Sequence, residues 1–203
     1  MLNFRAILRT GARVASVRRK LLFESPLQTQ CPGAPGVPIA FRYGDERDLA
    51  SLTAPEYAYA GDARAFGVKR LRAGDRLVLG ESAGRVVFYA WLMFRQMDVS
   101  IGNYSPLPAD CAYTYKLFTV ADCRGRRICP AYYEWVKREL WGAGYNRLFA
   151  WVEAGNRGSI RTHLRSGFRQ AGCIWHFRFL FRSYFVRPAI AAAAREPEQA
   201  CAS

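Results

Sequence analysis

The sequence predicts an α/β protein built on one mixed sheet, with both antiparallel and parallel strands. Two runs of strand-forming residues, Arg76–Ser82 and Arg85–Phe94, flank the turn Ala83-Gly84 and predict an antiparallel hairpin. The second half alternates strand, helix, strand, helix and strand, which requires crossover connections and parallel pairing. The 203 residues are 51% apolar and 14% aromatic, enough for one full core. We therefore expect one compact folded unit.

The first half of the chain contains the shorter elements. A strand is predicted over 37–43, followed by a helix over 45–59 with Asp45 as its N-cap. A weaker helical pattern covers 62–72 and leads into the hairpin.

The second half contains the longer elements. After a Gly/Asn/Pro-rich loop, alternating residues over 112–120 predict a strand, and an apolar stripe with an opposite charged face predicts a helix over 128–140. A strand over 147–153, a short helix over 159–165 and a final strand region over 168–185 complete the unit.

Both ends of the chain differ in composition from this unit. Residues 1–36 are interpreted as a basic N-terminal arm with a Pro/Gly linker, residues 37–187 as the folded domain, and residues 188–203 as a disordered tail. Residues 1–23 hold six basic and no acidic side chains and a loose helical apolar face. Three hypotheses follow for this arm: an import signal, a helix packed on the domain, or, as we prefer, a weak contact with an anionic membrane surface.

Charge and cysteine usage narrow the classes of partner. Thirty Lys and Arg against sixteen Asp and Glu give a net charge of +14, which favours nucleic acid, a membrane surface or a phosphorylated cofactor. No apolar window reaches the ~18 residues of a membrane-spanning helix, so we expect a cytoplasmic protein, at most peripheral to a membrane. The six cysteines form no C-x-x-C pair, and only His163 and His176 could add imidazole ligands. We predict neither a metal site nor a disulfide framework.

The junction TVADCRGRRICPAYYEWV has the outline of an anion site. A predicted strand ends at Val120, and a helix starts a few residues later, after Arg124, Gly125, Arg126 and Arg127. Free amides at a helix N-terminus and the helix dipole favour bound phosphate. The alternative is that these residues form only a solvated turn.

The order of motifs resembles the GCN5-related N-acetyltransferase (GNAT) superfamily. Residues 124–129 stand where that family has Arg/Gln-x-x-Gly-x-Gly/Ala, and Asn156 precedes a short helix that ends in Gly167-Phe168. The well-matched part covers about fifty residues, and the order of elements agrees over roughly 150. The resemblance implies a GNAT-like acyl-CoA acyltransferase fold with a basic N-terminal extension, in which a V-shaped opening between the two central strands admits acyl-CoA.

The resemblance also implies a set of cofactor-binding residues. These are Val120, Arg124, Gly125, Arg126, Arg127, Ile128, Cys129 and Asn156. Arg127 and Cys129 stand where the family has small residues, so side-chain charge would replace part of the backbone approach. Asn156 would lie near the pantetheine arm, although an N-cap role explains an Asn before a helix equally well.

The family's proton donor, a tyrosine, is replaced here by His163. An imidazolium could protonate the departing thiolate, so His163, Tyr132 and Tyr133 are the candidate general acids. In the alternative interpretation His163 only packs, and a tyrosine or water gives the proton. No carboxylate is assigned as general base.

The function that these observations predict is acyl-CoA-dependent N-acyl transfer. Acetyl-CoA is the expected co-substrate, without a metal, and a small amine attacks the thioester directly. The alternative is a non-catalytic GNAT-like module that binds nucleic acid, the less favoured partner, or another anion through its basic surface. An amine carried on a nucleic acid would combine both.

Overall fold

The computed structural model describes residues 15–27, 38–53, 63–100, 103–179 and 182–186. The strands are β1 Ala15–Pro26, β2 Ala40–Gly44, β3 Arg76–Ser82, β4 Arg85–Phe94, β5 Gln96–Ser100, β6 Asn103–Pro106, β7 Cys111–Thr119, β8 Arg147–Glu153, β9 Arg169–Phe179 and β10 Arg182–Val186. The helices are α1 Ala63–Arg72, α2 Ile128–Gly142 and α3 Arg157–Arg165, with 3-10 turns at Asp48–Thr53 and Ala121–Cys123.

Most of the described strands join one mixed sheet in the order β10-β9-β1-β8-β7-β4-β3-β2. Strands β7 and β8 pair in parallel, whereas the other neighbours in this sheet pair antiparallel. The predicted mixed sheet, the hairpin β3–β4 and the crossover through α2 are confirmed. A helix was predicted over 45–59, but Asp48–Thr53 form only a 3-10 turn. Residues 54–59 lie outside the described residues.

Helices cover both faces of the sheet. On β4, Phe88 contacts Tyr132 of α2, with ring centroids 4.9 Å apart. Trp91, three residues on and therefore on the other face, contacts Phe66 of α1 at 5.9 Å. In α2 the apolar residues recur every three or four positions, so one side of the helix is buried against the sheet. The core thus lies between the sheet and these helices.

The N-terminal segment differs from its prediction. Residues 15–23 were expected in a helical arm, and residues 25 and 26 in the Pro/Gly linker, both outside the domain. Instead, residues 15–26 form β1 in the interior of the sheet, antiparallel to both β8 and β9. Leu22 and Phe23 are 1% exposed. The folded unit therefore includes residues N-terminal to Val37, and residues 15–23 are not available as an amphipathic helix on a membrane. Residues 1–14, and the predicted tail 188–203, lie outside the described residues.

Two further strand pairs were not predicted. The loop expected over 102–108 contains β6, which forms a small antiparallel sheet with β5. The final strand region, in which no clear turn was recognised, consists of the antiparallel strands β9 and β10. The chain after Gly172 therefore does form a hairpin.

Candidate functional site

The two central strands separate halfway along their length. Strands β7 and β8 pair only at Cys111–Arg147, Ala112–Leu148 and Tyr113–Phe149. Beyond these pairs β7 continues to Thr119 and β8 to Glu153 without pairing to each other. The sheet therefore opens into the V that the family resemblance implied.

The β5–β6 hairpin lies across one face of this opening. The backbone carbonyl of Asp98 accepts hydrogen bonds from Trp151 Nε1 of β8 at 2.5 Å and from Tyr113 Oη of β7 at 3.3 Å. Since the two donors come from the two diverging strands, this carbonyl bridges them close to the point where they part.

The turn between β7 and α2 has the backbone geometry of an anion site. Gly125 has a φ of +79°, and Arg127, directly before α2, has the left-handed angles φ 60° and ψ 22°. Among the described residues no side chain caps the N-terminus of α2. The amides of Ile128 and Cys129 in the first helical turn thus lack a side-chain acceptor, and the helix dipole favours an anion there.

The predicted cofactor-binding residues of this turn have different surroundings. Arg124 Nε donates to the Thr119 carbonyl at 3.1 Å, which holds this side chain against the end of β7. Arg126 and Arg127 are exposed. Cys129 lines the neighbouring groove, and burial raises the pKa of its thiol to about 12, so the thiol is neutral at physiological pH.

A groove of about 950 Å³ runs between α2 and α3 from this turn. Its charged lining is almost entirely cationic: Arg124, Arg127, Lys137, Arg138, Arg161 and Arg165, with Glu134 as the carboxylate. The groove therefore suits a ligand with several negative charges.

Val120 and Asn156 form hydrogen bonds with neighbouring backbone groups of the protein. The Val120 amide donates to Val87 O at 3.1 Å, and its carbonyl accepts from the Cys123 amide at 3.1 Å. Asn156 Oδ1 accepts from the Ser159 amide at 3.0 Å, which makes Asn156 the N-cap of α3. Both residues thus position the elements that border the groove.

Tyr133 and His163 come together, whereas Tyr132 faces elsewhere. His163 Nδ1 lies 2.8 Å from the Ser159 carbonyl, which can only accept, so Nδ1 carries the proton. Nε2 is then an acceptor, and Tyr133 Oη donates to it at 2.7 Å. Tyr132 Oη instead shares a hydrogen bond of 2.7 Å with Thr114 Oγ1 of β7.

Burial determines the protonation states of His163 and Tyr133. Desolvation lowers the pKa of His163, which is 5% exposed, although its bond to Ser159 acts in the opposite direction. The imidazole is therefore neutral at pH 7, contrary to the hypothesis of an imidazolium donor. Desolvation also raises the pKa of Tyr133, so its hydroxyl stays protonated. Tyr133 lines the groove.

The contribution of β1 to this site was not predicted from the sequence. Phe23 stacks on the His163 ring, with centroids 5.4 Å apart, and Leu27 lines the groove. Ser25 Oγ donates to the Gly167 carbonyl at the end of α3, at 3.2 Å. The apolar run Leu21-Leu22-Phe23 was the available signal for a buried strand.

Lys137 is a second groove residue that the sequence analysis did not single out. Its Nζ donates to the Ser166 carbonyl at 2.5 Å and so connects α2 to the end of α3. Burial lowers its pKa to about 8.

Two carboxylates that flank β7 are engaged by other side chains. Asp122 pairs with Arg85 at 3.0 Å, and Asp110 accepts from Asn146 Nδ2 at 3.1 Å. Neither carboxylate lines the groove.

The described part of the chain holds no group of three or more His, Cys, Asp or Glu side chains placed to bind a metal ion. Within the same residues, no helix has the length and apolar character needed to cross a bilayer.

The split sheet with a cationic groove beside the opening is the fold expected of an acyl-CoA acyltransferase. The family model of the acetyltransferase (GNAT) family matches residues 47–168, more than half of the chain, and the chain belongs to this family. No curated protein sequence matches the chain significantly.

Solved structures show the same fold at low sequence identity. An acetyltransferase of the GNAT family from Colwellia psychrerythraea has a TM-score of 0.62 at 12% identity, over 88% of this chain and 62% of that one. A conserved protein of unknown function from Staphylococcus epidermidis has a TM-score of 0.58 at 9% identity, over 89% of this chain and 69% of that one. A further GNAT-family structure, from Novosphingobium aromaticivorans, has a TM-score of 0.53 at 16% identity and covers 82% and 68%.

Proposed function

We propose that the protein transfers an acetyl group from acetyl-CoA to the amine of a small substrate. The observation that carries this proposal is the cationic groove that starts at the uncapped N-terminus of α2, beside the opening between β7 and β8. Membership of the GNAT family supports the same reaction class.

The pyrophosphate of CoA fits the turn before α2. Its oxygens would accept from the amides of Ile128 and Cys129, and the guanidinium of Arg127 would supply neutralising charge. The pantetheine arm would then enter between the two strands where their pairing ends.

The reaction requires the amine and the thioester to be held in contact. The amine nitrogen attacks the thioester carbonyl, the C–S bond breaks, and the products are an amide and CoA. The amine loses one proton and the CoA thiolate gains one, so the reaction is balanced. Holding both reactants in this geometry can supply much of the rate.

Tyr133 is the donor that the geometry favours. Tyr133 lines the groove, and burial raises the pKa of its hydroxyl, so the hydroxyl is protonated at neutral pH. In the protein without ligand this proton is donated to His163 Nε2 at 2.7 Å, and in the proposed reaction it turns from Nε2 to the departing thiolate. In this proposal His163 is a positioning residue, and Tyr132, bonded to Thr114, supports the core.

Calorimetric titration with acetyl-CoA and with CoA tests the proposal. We expect binding by the full chain, and at least a ~10-fold loss of affinity for Gly125→Val, because a β-branched residue is strained at a φ of +79°. A Cβ at Gly125 would meet no neighbour within 4 Å, so the loss would come from the backbone.

Gly74→Val is the matched control. Gly74 has a φ of +87° and equally open surroundings, but it lies in the turn after α1 and does not line the groove. This variant should lose stability and keep CoA affinity. Absence of binding by the wild-type chain at millimolar CoA would refute the proposed function.

A further inference from the structure

One face of the sheet is open at the edge formed by β1, β9 and β10. Helix α3 covers this face near the end of β1, where His163 packs on Phe23, which is 1% exposed. Six residues earlier in the same strand, Val17 is 59% exposed. Alternate side chains of a strand share a face, so Val17 and Phe23 lie on the same side of the sheet. The cover that α3 gives Phe23 therefore does not extend to Val17.

Four apolar side chains lie together on this open face. The strand register pairs Val17 of β1 with Phe177 of β9, and it pairs Trp175 with Arg19 on one side and with Val186 on the other. Directly paired residues share a face. Trp175 and Phe177 are 36% and 37% exposed, Val186 is 60% exposed, and the two rings lie 18° from parallel with centroids 6.2 Å apart. We call these four apolar residues and Arg19 the edge patch.

Arginines border the edge patch. The Arg19 guanidinium lies 5.6 Å from the centroid of the Trp175 ring. The Ala154 amide donates to the Arg19 carbonyl at 3.0 Å, and Arg157, three residues further on, is exposed at the start of α3. Three residues of chain span at most about 11 Å, so Arg157 lies close to Arg19. Neither arginine forms an ion pair within the described part of the chain.

The three strands of this edge are rich in basic residues. Together they contain six Arg and Lys residues and one acidic residue, Glu24. Glu24 is paired with Arg169 at 2.6 Å and with Arg147 at 3.6 Å. A second copy of the chain, with its net charge of +14, would bring like charges together here. Charge complementarity therefore favours a polyanion on the edge patch.

We propose that the edge patch binds single-stranded nucleic acid. Unpaired bases would stack on Trp175 and Phe177, and backbone phosphates would accept hydrogen bonds from Arg19 and Arg157. Every base has a π-face, so this mode of binding tolerates different sequences, whereas the bases of a duplex are already stacked on their neighbours. The edge patch lies outside the groove, since none of its residues lines the groove. The proposal thus does not depend on acetyl transfer.

Fluorescence anisotropy at physiological salt tests the proposal on the full chain. The probes are labelled oligo(U) and oligo(dT) of about 12 nucleotides and a duplex of the same length, and the first two distinguish RNA from DNA as the source of the strand. We expect single strands to bind about fivefold or more tightly than the duplex, because only they offer free base faces.

Trp175→Leu tests stacking and should weaken single-strand binding by about fivefold or more, since leucine keeps the apolar contact but offers no ring. Trp141→Leu is the matched control. Trp141 is 38% exposed, much like Trp175, but it lines the groove. This variant should keep the wild-type affinity for the oligonucleotide.

Arg19→Gln tests the phosphate contact. It should weaken binding and reduce the slope of log affinity against log salt by roughly 0.7, the value for one phosphate of a single strand. Arg18→Gln is the matched control, because Arg18 is also exposed but its side chain lies on the opposite face of β1. This variant should keep the wild-type slope.

Several results would overturn the proposal. These are no binding of either single strand by the wild-type chain, equal losses in Trp175→Leu and Trp141→Leu, or displacement of the oligonucleotide by acetyl-CoA, which would place it in the groove. A dimer that Trp175→Leu dissociates would assign the patch to a second copy, and vesicle binding without oligonucleotide binding would assign it to an anionic membrane. Thermal unfolding midpoints show which variants fold, and Phe177→Leu replaces Trp175→Leu if that variant does not.

Discussion

At the scale of single residues, Arg127 has a backbone conformation that suits glycine better. Its φ of 60° and ψ of 22° lie in the left-handed region, where the Cβ of an L-residue crowds the following carbonyl oxygen. The family pattern has glycine at this position. Arg127 thus combines backbone strain with a charge at the mouth of the groove, as is common at binding sites.

Arg127→Gly should therefore stabilise the protein by about 1 kcal/mol, because glycine adopts left-handed angles without the steric cost. For a chain of this size that corresponds to a rise of roughly 2–4 °C in Tm. Arg126→Gly, at a neighbouring exposed position without a positive φ, is the control and should give no gain. Scanning calorimetry of wild type and the two variants measures the three Tm values. A Tm for Arg127→Gly equal to or below that of wild type would argue against strain at this residue.

His163 shows how burial sets the chemistry of a residue. Its ring packs among Phe23, Tyr133 and Phe168, with centroids 5.2 to 5.4 Å away, and both ring nitrogens have hydrogen-bond partners. Protonating Nε2 would remove its capacity to accept from Tyr133 and would place a charge in an apolar surrounding. The neutral form is therefore the one that the fold stabilises.

This lowered pKa predicts a pH dependence of stability. Below pH ~6.5 the unfolded chain gains a proton on His163 that the folded chain does not take up, so stability falls as the pH drops from there towards the folded pKa. The slope from this group is at most about 1.4 kcal/mol per pH unit. Urea unfolding between pH 5 and 8 should show a shallower dependence for His163→Gln than for wild type or for His176→Gln. The same slope in all three proteins would assign the pH dependence to other groups.

At the scale of elements, the strands and helices whose main contacts are close in sequence were predicted correctly. The hairpin β3–β4 has its turn residues between two strand-forming runs, and α2 has a helical apolar stripe, so both were predicted with nearly the observed bounds. The Gly-Arg turn before α2 was also found, because a turn and a helix start lie next to each other in the sequence.

Elements that depend on distant partners were predicted less well. In β1 three basic residues precede the apolar run, and the local pattern is that of a loose amphipathic helix. Phe23 pairs with Ala150 on one side and with Gln170 on the other, which no local window contains. The Tyr133–His163 hydrogen bond joins residues 30 positions apart. This hydrogen bond was therefore not predicted from the sequence, although both side chains were named as candidates.

At the scale of the whole molecule, β1 connects the two halves of the candidate site. It fills the space between β8 and β9, and Glu24 pairs with Arg169 of β9 at 2.6 Å and with Arg147 of β8 at 3.6 Å. The same strand supplies Phe23 to His163 and, at its end, Leu27 to the groove. Residues outside the part matched by the family model therefore complete the site.

The burial of β1 and of Leu27, which follows it, contributes strongly to stability. Four apolar side chains, Leu21, Leu22, Phe23 and Leu27, are 1–8% exposed. At roughly 1.5–3 kcal/mol for each buried side chain, their burial contributes on the order of 6–12 kcal/mol. This gross contribution, before the entropy cost of ordering these residues, is as large as the net stability of a typical domain, about 5–15 kcal/mol. Without β1, strands β8 and β9 would also expose unpaired edges, which promote aggregation.

Deletion of residues 1–27 should therefore leave a chain that aggregates or lacks cooperative unfolding. Addition of a synthetic peptide of residues 15–27 to the truncated chain should restore a monomeric complex that binds CoA. Size-exclusion chromatography and calorimetric titration measure the two effects. A peptide with Phe23→Asp is the matched control and should not restore binding, because it would bury a carboxylate against the His163 ring. A truncated chain that stays monomeric and unfolds at the wild-type temperature would contradict the central role of β1, since the remaining strands would then form the core on their own.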